Sequence, residues 1–277
     1  MRGEGQRSPL TGVITMVALV FLYAPLVIVV LFSFHATGNL SFPWQGFSTR
    51  WYREVLASAE FRAAFRASVV VAVSTSVTTL IFGTMAAYGL TRVSGRVRGP
   101  LAFLFFLPLT VPGLFIGIGL LSWFTKLDVR ASLTTVTVAH LVYVFPYFML
   151  IAGAALDRLD VALEESAQDL GASPWLVFWR VTFPQVWPLL AGATSLAFAL
   201  SFDEFIITFF VIGNQSTLPM FIWSSLRRTV DPSINVVSTL LMAITLLLWV
   251  VAFAFTLRSE RQRNRTRDAA VPGGILA

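Results

Sequence analysis

Two adjacent acids, Asp203 and Glu204, lie within a long apolar stretch of the sequence that runs from about Leu189 to Ile212. An ionised acid near the centre of a bilayer costs at least about 2.5–3.5 kcal/mol on insertion scales, so each carboxylate should face a pore, a partner or a base. These acids are therefore the first candidates for a site that contacts something other than lipid.

Helical periodicity separates the two acids. In one continuous helix, Glu204 lies on a polar stripe, whereas Asp203 is rotated by about 100° onto an apolar face. This pattern makes Glu204 the better candidate to face a pore. The alternative is structural: one acid pairs with Arg227 or Arg228 and holds an outer gate closed. The stripe consists of Thr194, Ser201, Glu204, Thr208 and Gln215, and the apolar face of Leu196, Leu200, Ile207 and Phe210.

The composition of the 277-residue chain restricts its class. It is 56% hydrophobic and only 12% charged, with a mean hydropathy of +0.77 and no cysteine. Soluble domains carry about 25% charged residues, so this chain lacks the polar groups to cover a surface in water. The values exclude a disordered, collagenous or disulfide-rich chain, a thiolate metal site and a basic nucleic-acid module. They indicate an integral membrane protein in a lipid bilayer.

Six stretches are long and apolar enough to cross a membrane, which requires about 20 residues each. They predict an all-α fold with six transmembrane helices in one domain, residues 13–257. The first stretch exceeds the 7–15 apolar residues of a cleaved signal peptide and lacks an A-x-A-like exit, so we expect it to be retained. The predicted spans are about Val13–Phe34, Ala67–Leu90, Leu101–Phe124, Leu133–Leu156, Leu189–Ile212 and Val236–Leu257.

The distribution of basic residues predicts cytoplasmic termini. An even number of spans places residues 1–12 and the basic tail, residues 258–277, on one side. That arrangement puts twelve basic residues inside and eight outside, and the tail alone holds five arginines. The positive-inside rule therefore favours this orientation.

The segment between the fourth and fifth predicted spans, residues 157–188, is too charged for the membrane and too apolar for a plain loop. A helix beginning near Asp160 should end at Gly171, since glycine accepts the left-handed conformation that closes a helix. Ser173 and Pro174 should then begin a second, short helix as its N-cap and first residue. The segment is predicted to lie at the cytoplasmic interface.

The same segment resembles a known signature. It resembles the E-A-A, x3, G, x9, I, x, L-P motif of the permeases of ABC importers, the MetI-like transmembrane family. That resemblance implies that these residues dock into a cytoplasmic ATPase subunit and couple it to the pore. The matching positions are Glu165, Ser166, Ala167, Gly171, Val181, Phe183 and Pro184, with Ser166, Val181 and Phe183 as conservative departures.

Further motifs are similar to those of spermidine/putrescine permeases of the PotC type, from the second span onward. They include residues 201–205, 210–213 and 217–219. Carboxylates beside aromatic rings suit a protonated polyamine, because both can replace its water shell. The resemblance places acids at both Asp203 and Glu204; with the polar stripe and the nearby aromatic residues, we expect a substrate path at Ser201, Asp203, Glu204, Phe205, Thr208 and Trp223.

The resemblance also implies what must surround the chain. We expect a non-catalytic subunit of the bacterial inner membrane, paired with a second permease, two copies of an ABC ATPase and an external solute-binding protein. ATP and Mg²⁺ would bind the ATPase copies and no cofactor this chain, which has no G-x-x-x-x-G-K-[ST] motif. With only His35 and His140, and no H-E-x-x-H, a zinc protease is disfavoured.

Two alternatives remain open at the level of the sequence. The cargo could instead be an opine, a phosphonate or ferric iron, since permeases for these solutes share the same motifs. A self-sufficient channel or ion-coupled carrier is the other alternative, but it would not need the insert at residues 157–188.

Gly113 and Gly117 form a G-x-x-x-G pattern, which predicts close helix packing rather than a ligand loop.

Overall fold

The structure, a computed structural model, describes residues 9–38, 43–228, 232–247 and 250, which are almost entirely helical. Contacts divide the chain into two compact units. The first unit comprises Met1–Arg62 and Phe221–Ile244, and the second comprises Ala63–Met220 and Thr245–Ala277. The elements are α1 (Pro9–Ser33), α2 (Arg50–Ala57), α3 (Ala59–Arg92), α4 (Gly95–Phe106), a 3₁₀ turn (Leu107–Thr110), α5 (Gly113–Lys126), α6 (Leu133–Leu156), α7 (Val161–Asp169), α8 (Pro174–Val177), a π-helical turn (Phe178–Thr182), α9 (Phe183–Phe202), α10 (Ile206–Val211), α11 (Leu218–Arg228) and α12 (Pro232–Leu247).

Four helical segments of the described residues are long and apolar enough to cross a membrane. They are α1, α3, α6 and the run from Pro174 to Phe202, which contains α8, the π-helical turn and α9. The helices predicted for the first, second and fourth spans are therefore present. The prediction of exactly six spans is not confirmed, and the last part of the sixth, residues 248–249 and 251–257, lies outside the described residues.

The third predicted span is not one straight helix. It is divided into α4 and α5, which together pass the same length and composition test but bend by 104° at the junction. The residue before a proline is driven towards extended backbone, and Val111 adopts φ −97° and ψ 122° before Pro112. The bend therefore follows from Pro112, and the pair is a broken span or a re-entrant loop.

In the first unit, α1 exposes apolar side chains along nearly its whole length. Such a surface requires lipid or another chain to cover it. The segment after α1 folds back onto α2: Ser33 Oγ lies 2.7 Å from Tyr52 Oη, and Trp51 Nε1 donates to the carbonyl of His35 at 3.0 Å. The ring of Trp44 meets the buried His35 edge-on.

The core of the second unit forms around α6. Along one part of the helix, the buried Phe148 and Met149 pack with Leu190 of α9. Along another, Val136 packs with Ile207 and Val211 of α10. This packing is what brings side chains of α6 against the two helices that flank the predicted acids.

The predicted close packing at the G-x-x-x-G pattern is confirmed. A Cβ added to Gly117 of α5 would lie 2.7 Å from the ring of Phe210 and 3.3 Å from the Cα of Ile207. A Cβ at Gly113 would lie 3.6 Å from Ile207 Cγ1. The two glycines therefore let α10 approach α5 closely.

The substitution Gly117→Ala should destabilise the protein by about 1–3 kcal/mol, because the added methyl group overpacks this contact. Gly119→Ala on the same helix is the matched control, since a Cβ there meets nothing within 4 Å. Thermal unfolding of the purified protein in detergent measures both. Equal unfolding temperatures for the two variants would contradict the packing described here.

Candidate functional site

The two acids lie at a break between helices. Helix α9 ends at Phe202, the backbone N–H of Asp203 donates to the carbonyl of Ala199 at 3.2 Å, and α10 begins at Ile206. The predicted continuous helix from Leu189 to Ile212 is therefore wrong at both ends. The observed helix already begins at Pro174, and it stops at Phe202, before the two acids. The periodicity that favoured Glu204 assumed that continuous helix.

Glu204 turns inward and closes the start of α10. Its Oε1 accepts from the backbone N–H of Ile207 at 2.8 Å, and its Oε2 accepts from that of Thr208 at 2.9 Å. The first N–H groups of a helix have no partner within the helix, so a carboxylate that accepts from two of them stabilises its start. Glu204 thus acts within the protein as a cap.

His140 of α6 is the centre of a polar cluster that we call the His140 cluster: His140, Ser201, Glu204 and Thr208. Nδ1 of His140 lies 2.8 Å from Ser201 Oγ, and Nε2 lies 2.8 Å from Thr208 Oγ1 and 3.4 Å from Glu204 Oε2. His140, Ser201 and Thr208 are buried. The cluster joins the end of α9 and the start of α10 to α6.

The predicted path residues thus divide into different environments. Ser201, Glu204 and Thr208 converge on His140, as their shared stripe suggested, but they are occupied with one another. Asp203 is exposed, and its carboxylate has no hydrogen bond or ion pair within the described residues. Phe205 is half-buried beside the ring of Phe209.

Trp223 belongs to the other unit of the chain, on α11. The guanidinium of Arg227 lies over its ring, 4.8 Å from the centroid, while the side chain of Arg228 lies outside the described residues. Within those residues, the basic group that contacts Glu204 is His140 rather than an arginine. Whether Trp223 lines the path stays a prediction.

The segment with the E-A-A-like motif forms the predicted helix, glycine and second helix. Asp160 caps α7 by accepting from the N–H of Ala162 at 3.0 Å. Gly171 has φ +85°, and the N–H of Ala172 donates to the carbonyl of Ala167 at 3.1 Å, which is the bond pattern of a Schellman cap. Ser173 caps α8.

The second helix differs from the prediction in its length. It does not stop after a short amphipathic run but continues from α8 through the π-helical turn into α9, up to Phe202. The helix that begins at Pro174, just beyond Gly171, is therefore continuous up to Phe202, the residue before Asp203. A displacement at one end can reach the other through one helical element.

The residues of the motif differ in exposure. Glu165 and Ser166 of α7 are exposed, as is Pro184 in the first turn of α9, while Ala167 and Val181 are half-buried. Leu170 and Trp175 on either side of Gly171 are 90% and 71% exposed. Exposed apolar side chains with carboxylates beside them are typical of an interaction surface.

Glu164, the residue before the motif, is buried, and its contacts join three elements. It forms an ion pair with Arg92 at the end of α3, and its Oε1 accepts from the hydroxyl of Thr182 at 2.6 Å. The guanidinium of Arg92 also lies over the ring of Tyr88, which packs edge-on against Phe178. This arrangement ties α3 and the π-helical turn to α7.

Glu164→Gln should lower the stability of the protein by about 1–3 kcal/mol, because the change removes the charge of a buried acceptor that both Arg92 and Thr182 contact. Glu165→Gln makes the same chemical change at the neighbouring exposed position and should stay within about 0.5 kcal/mol of the parent. Thermal unfolding in detergent compares them. A larger loss for Glu165→Gln would refute the structural role of Glu164.

Sequence reasoning missed both the contacts of His140 and the Glu164–Arg92 ion pair. His140 had a usable signal, because a polar side chain in the middle of an apolar span should face the interior of the protein. Glu164 had no such signal beyond its acidic type.

Among the described residues, no group of three His, Asp or Glu side chains could hold a metal ion.

Comparison with known proteins places this arrangement in a family. Residues 79–265 match the model of the binding-protein-dependent transport system inner membrane component family, so the chain belongs to that family. The family supplies the membrane-spanning, non-catalytic component of ABC importers.

Among the relatives, the putrescine transport system permease protein PotI of Escherichia coli K12 is 36% identical over 276 residues, covering 96% of this chain and 98% of PotI. The spermidine/putrescine transport system permease protein PotC of the same strain is 27% identical, covering 88% of this chain and 92% of PotC. A bacterial alginate ABC transporter crystallised with its alginate-bound periplasmic protein has the same fold, with a TM-score of 0.66 at 15% identity, over 94% of this chain and 96% of that one.

Proposed function

We propose that this chain is the permease subunit of an ATP-driven polyamine importer, with putrescine or spermidine as cargo. The observation that carries the proposal is the exposed carboxylate of Asp203 at a helix break, beside a Glu204 already occupied within the protein. The printed functions of PotI and PotC support the same cargo.

In this proposal, Asp203 is the acid that meets the cargo. An exposed carboxylate within a membrane-spanning region is stable only where it faces a water-filled path or a partner. A protonated amine on that path exchanges part of its water shell for the carboxylate and the nearby aromatic faces, such as Phe205 and Phe209.

The segment around Gly171 is proposed as the cytoplasmic contact with the ATPase. Exposed Leu170 and Trp175 provide apolar contacts, and Glu165 provides a carboxylate for a basic partner. This orientation places both termini in the cytoplasm of a bacterial inner-membrane protein. ATP and Mg²⁺ bind two ATPase copies, a second permease completes the pore, and an external solute-binding protein delivers the cargo.

The test is reconstitution of this chain in proteoliposomes with the second permease, the ATPase and the solute-binding protein of its own organism. ATP hydrolysis should rise with putrescine- or spermidine-loaded binding protein, and labelled polyamine should accumulate. Stimulation by 2-aminoethylphosphonate, an opine or ferric iron instead would reject the polyamine cargo but keep the importer.

Proteoliposomes that contain this chain alone test the second class of function. A channel or ion-coupled carrier would move solute without ATP or the partner subunits. The importer proposal expects no uptake from them, and uptake by the isolated chain would overturn it.

A further inference from the structure

The His140 cluster holds the two sides of the helix break through one side chain. Ser201 is in the last turn of α9 and Thr208 is in the first turn of α10, and both contact the imidazole of His140 at 2.8 Å. We propose that His140 is a positioning residue: it keeps Glu204 turned into the protein, and thereby leaves Asp203 as the acid that cationic cargo meets. This inference rests on the proposed polyamine transport.

The distances in the cluster allow an arrangement in which every hydrogen bond has a donor and an acceptor. The Thr208 hydroxyl donates to Glu204, whose carbonyl and Oε2 lie 3.1 and 3.2 Å away, so its oxygen is free to accept from Nε2–H of His140. Nδ1 then accepts from the hydroxyl of Ser201. In this tautomer, which is assigned from the network, each nitrogen of the imidazole has a hydrogen-bond partner.

Removal of the imidazole would change the charge that the cargo meets. Nε2 also lies 3.4 Å from Glu204 Oε2, in a buried setting where a lost contact is not replaced by water. Without that contact, Glu204 can rotate away from the start of α10 and stand as a second carboxylate beside Asp203. The cationic cargo would then meet an altered site, although His140 itself touches no cargo.

Three substitutions test which nitrogen of His140 is responsible for the positioning of Glu204. His140→Leu removes both contacts. His140→Asn places an amide near the position of Nδ1 and keeps only the Ser201 contact, whereas His140→Gln reaches the position of Nε2 and keeps the contacts to Thr208 and Glu204. Polyamine uptake is measured in proteoliposomes with the full set of subunits, as KM and maximal rate.

The Leu and Asn variants should lower the KM for polyamine by about tenfold, because the released Glu204 carboxylate gives the cationic cargo a second charged contact beside Asp203. Their maximal rates should stay within about threefold of the parent, because the ATPase contact is unchanged. The Gln variant should keep the parent KM within about threefold. An unchanged KM in the Leu variant, or an Asn variant that transports like the Gln variant, would overturn the inference.

Thr135→Val is the matched structural control. Thr135 Oγ1 donates to the carbonyl of Val211 at 2.7 Å, which is another buried hydrogen bond from α6 to α10 but lies away from the acids. This variant should lower the unfolding temperature and leave the KM unchanged. A KM lowered equally by Thr135→Val would show that any loosening of α10 suffices, and would reject a specific role for His140.

The failure of this inference is distinguishable from the failure of the proposed function. If the parent protein does not transport polyamine at all, the proposed cargo is wrong. If the parent transports polyamine and the His140 variants keep its KM, only the positioning role is wrong.

Discussion

Asp203→Asn is expected to reduce the efficiency of polyamine uptake by at least about 30-fold. The change keeps the shape of the side chain but removes the charge, and truncation of a desolvated charge pair costs about 2–5 kcal/mol. Uptake of labelled putrescine in proteoliposomes measures it, with the amount of inserted protein determined on the same sample. Asp203→Glu, which retains the carboxylate, should recover a large part of the uptake.

Glu204→Gln is the matched comparison for that prediction. The amide can accept from only one of the two N–H groups that the carboxylate now serves, those of Ile207 and Thr208. Its main effect should therefore be a lower unfolding temperature, with a smaller loss of uptake than Asp203→Asn. The reverse order of losses would restore Glu204 as the acid that lines the path.

Gly171→Val is expected to abolish transport and co-purification of the ATPase while the protein still inserts into the membrane. Gly171 has φ +85°, and L-residues pay about 1–2 kcal/mol in left-handed backbone, with β-branched residues the least tolerant. The Schellman cap would open, and Leu170 and Trp175 would lose their present arrangement. Co-purification with the tagged ATPase and uptake are the two measurements.

Gly171→Asn separates backbone strain from loss of space. A Cβ at Gly171 meets nothing within 4 Å, so a side chain fits there, and asparagine tolerates left-handed backbone better than other residues. The Asn variant should keep the ATPase and most of the uptake. Normal uptake in Gly171→Val would refute the coupling role of this segment.

The sequence predicted the parts of this protein that depend on local signals. Long apolar runs predicted the helices α1, α3 and α6, because a span is recognised by its length and composition. Asp160, Gly171 and Ser173 predicted the caps of α7 and α8, since a cap needs only one side chain and the backbone beside it. The motif between these caps was sufficient to indicate the family.

The candidate site was predicted only in part. Asp203 and Glu204 were found from their charge alone, but periodicity chose between them on the assumption of an unbroken helix. The break at residues 203–205 removed that assumption. Pro112 marks the bend between α4 and α5 in the sequence, whereas no proline or glycine marks the end of α9 at Phe202.

The sequence by itself determined that this chain lies in a membrane, that it carries a capped helix pair joined at Gly171, and that two acids lie in an apolar region. Only the tertiary structure decided which acid is occupied. His140 lies 61 residues from Ser201, and Arg92 lies 72 residues from Glu164. Contacts at such separations arise when apolar helices pack, and an apolar pattern specifies that helices pack but not which polar side chains will meet between them.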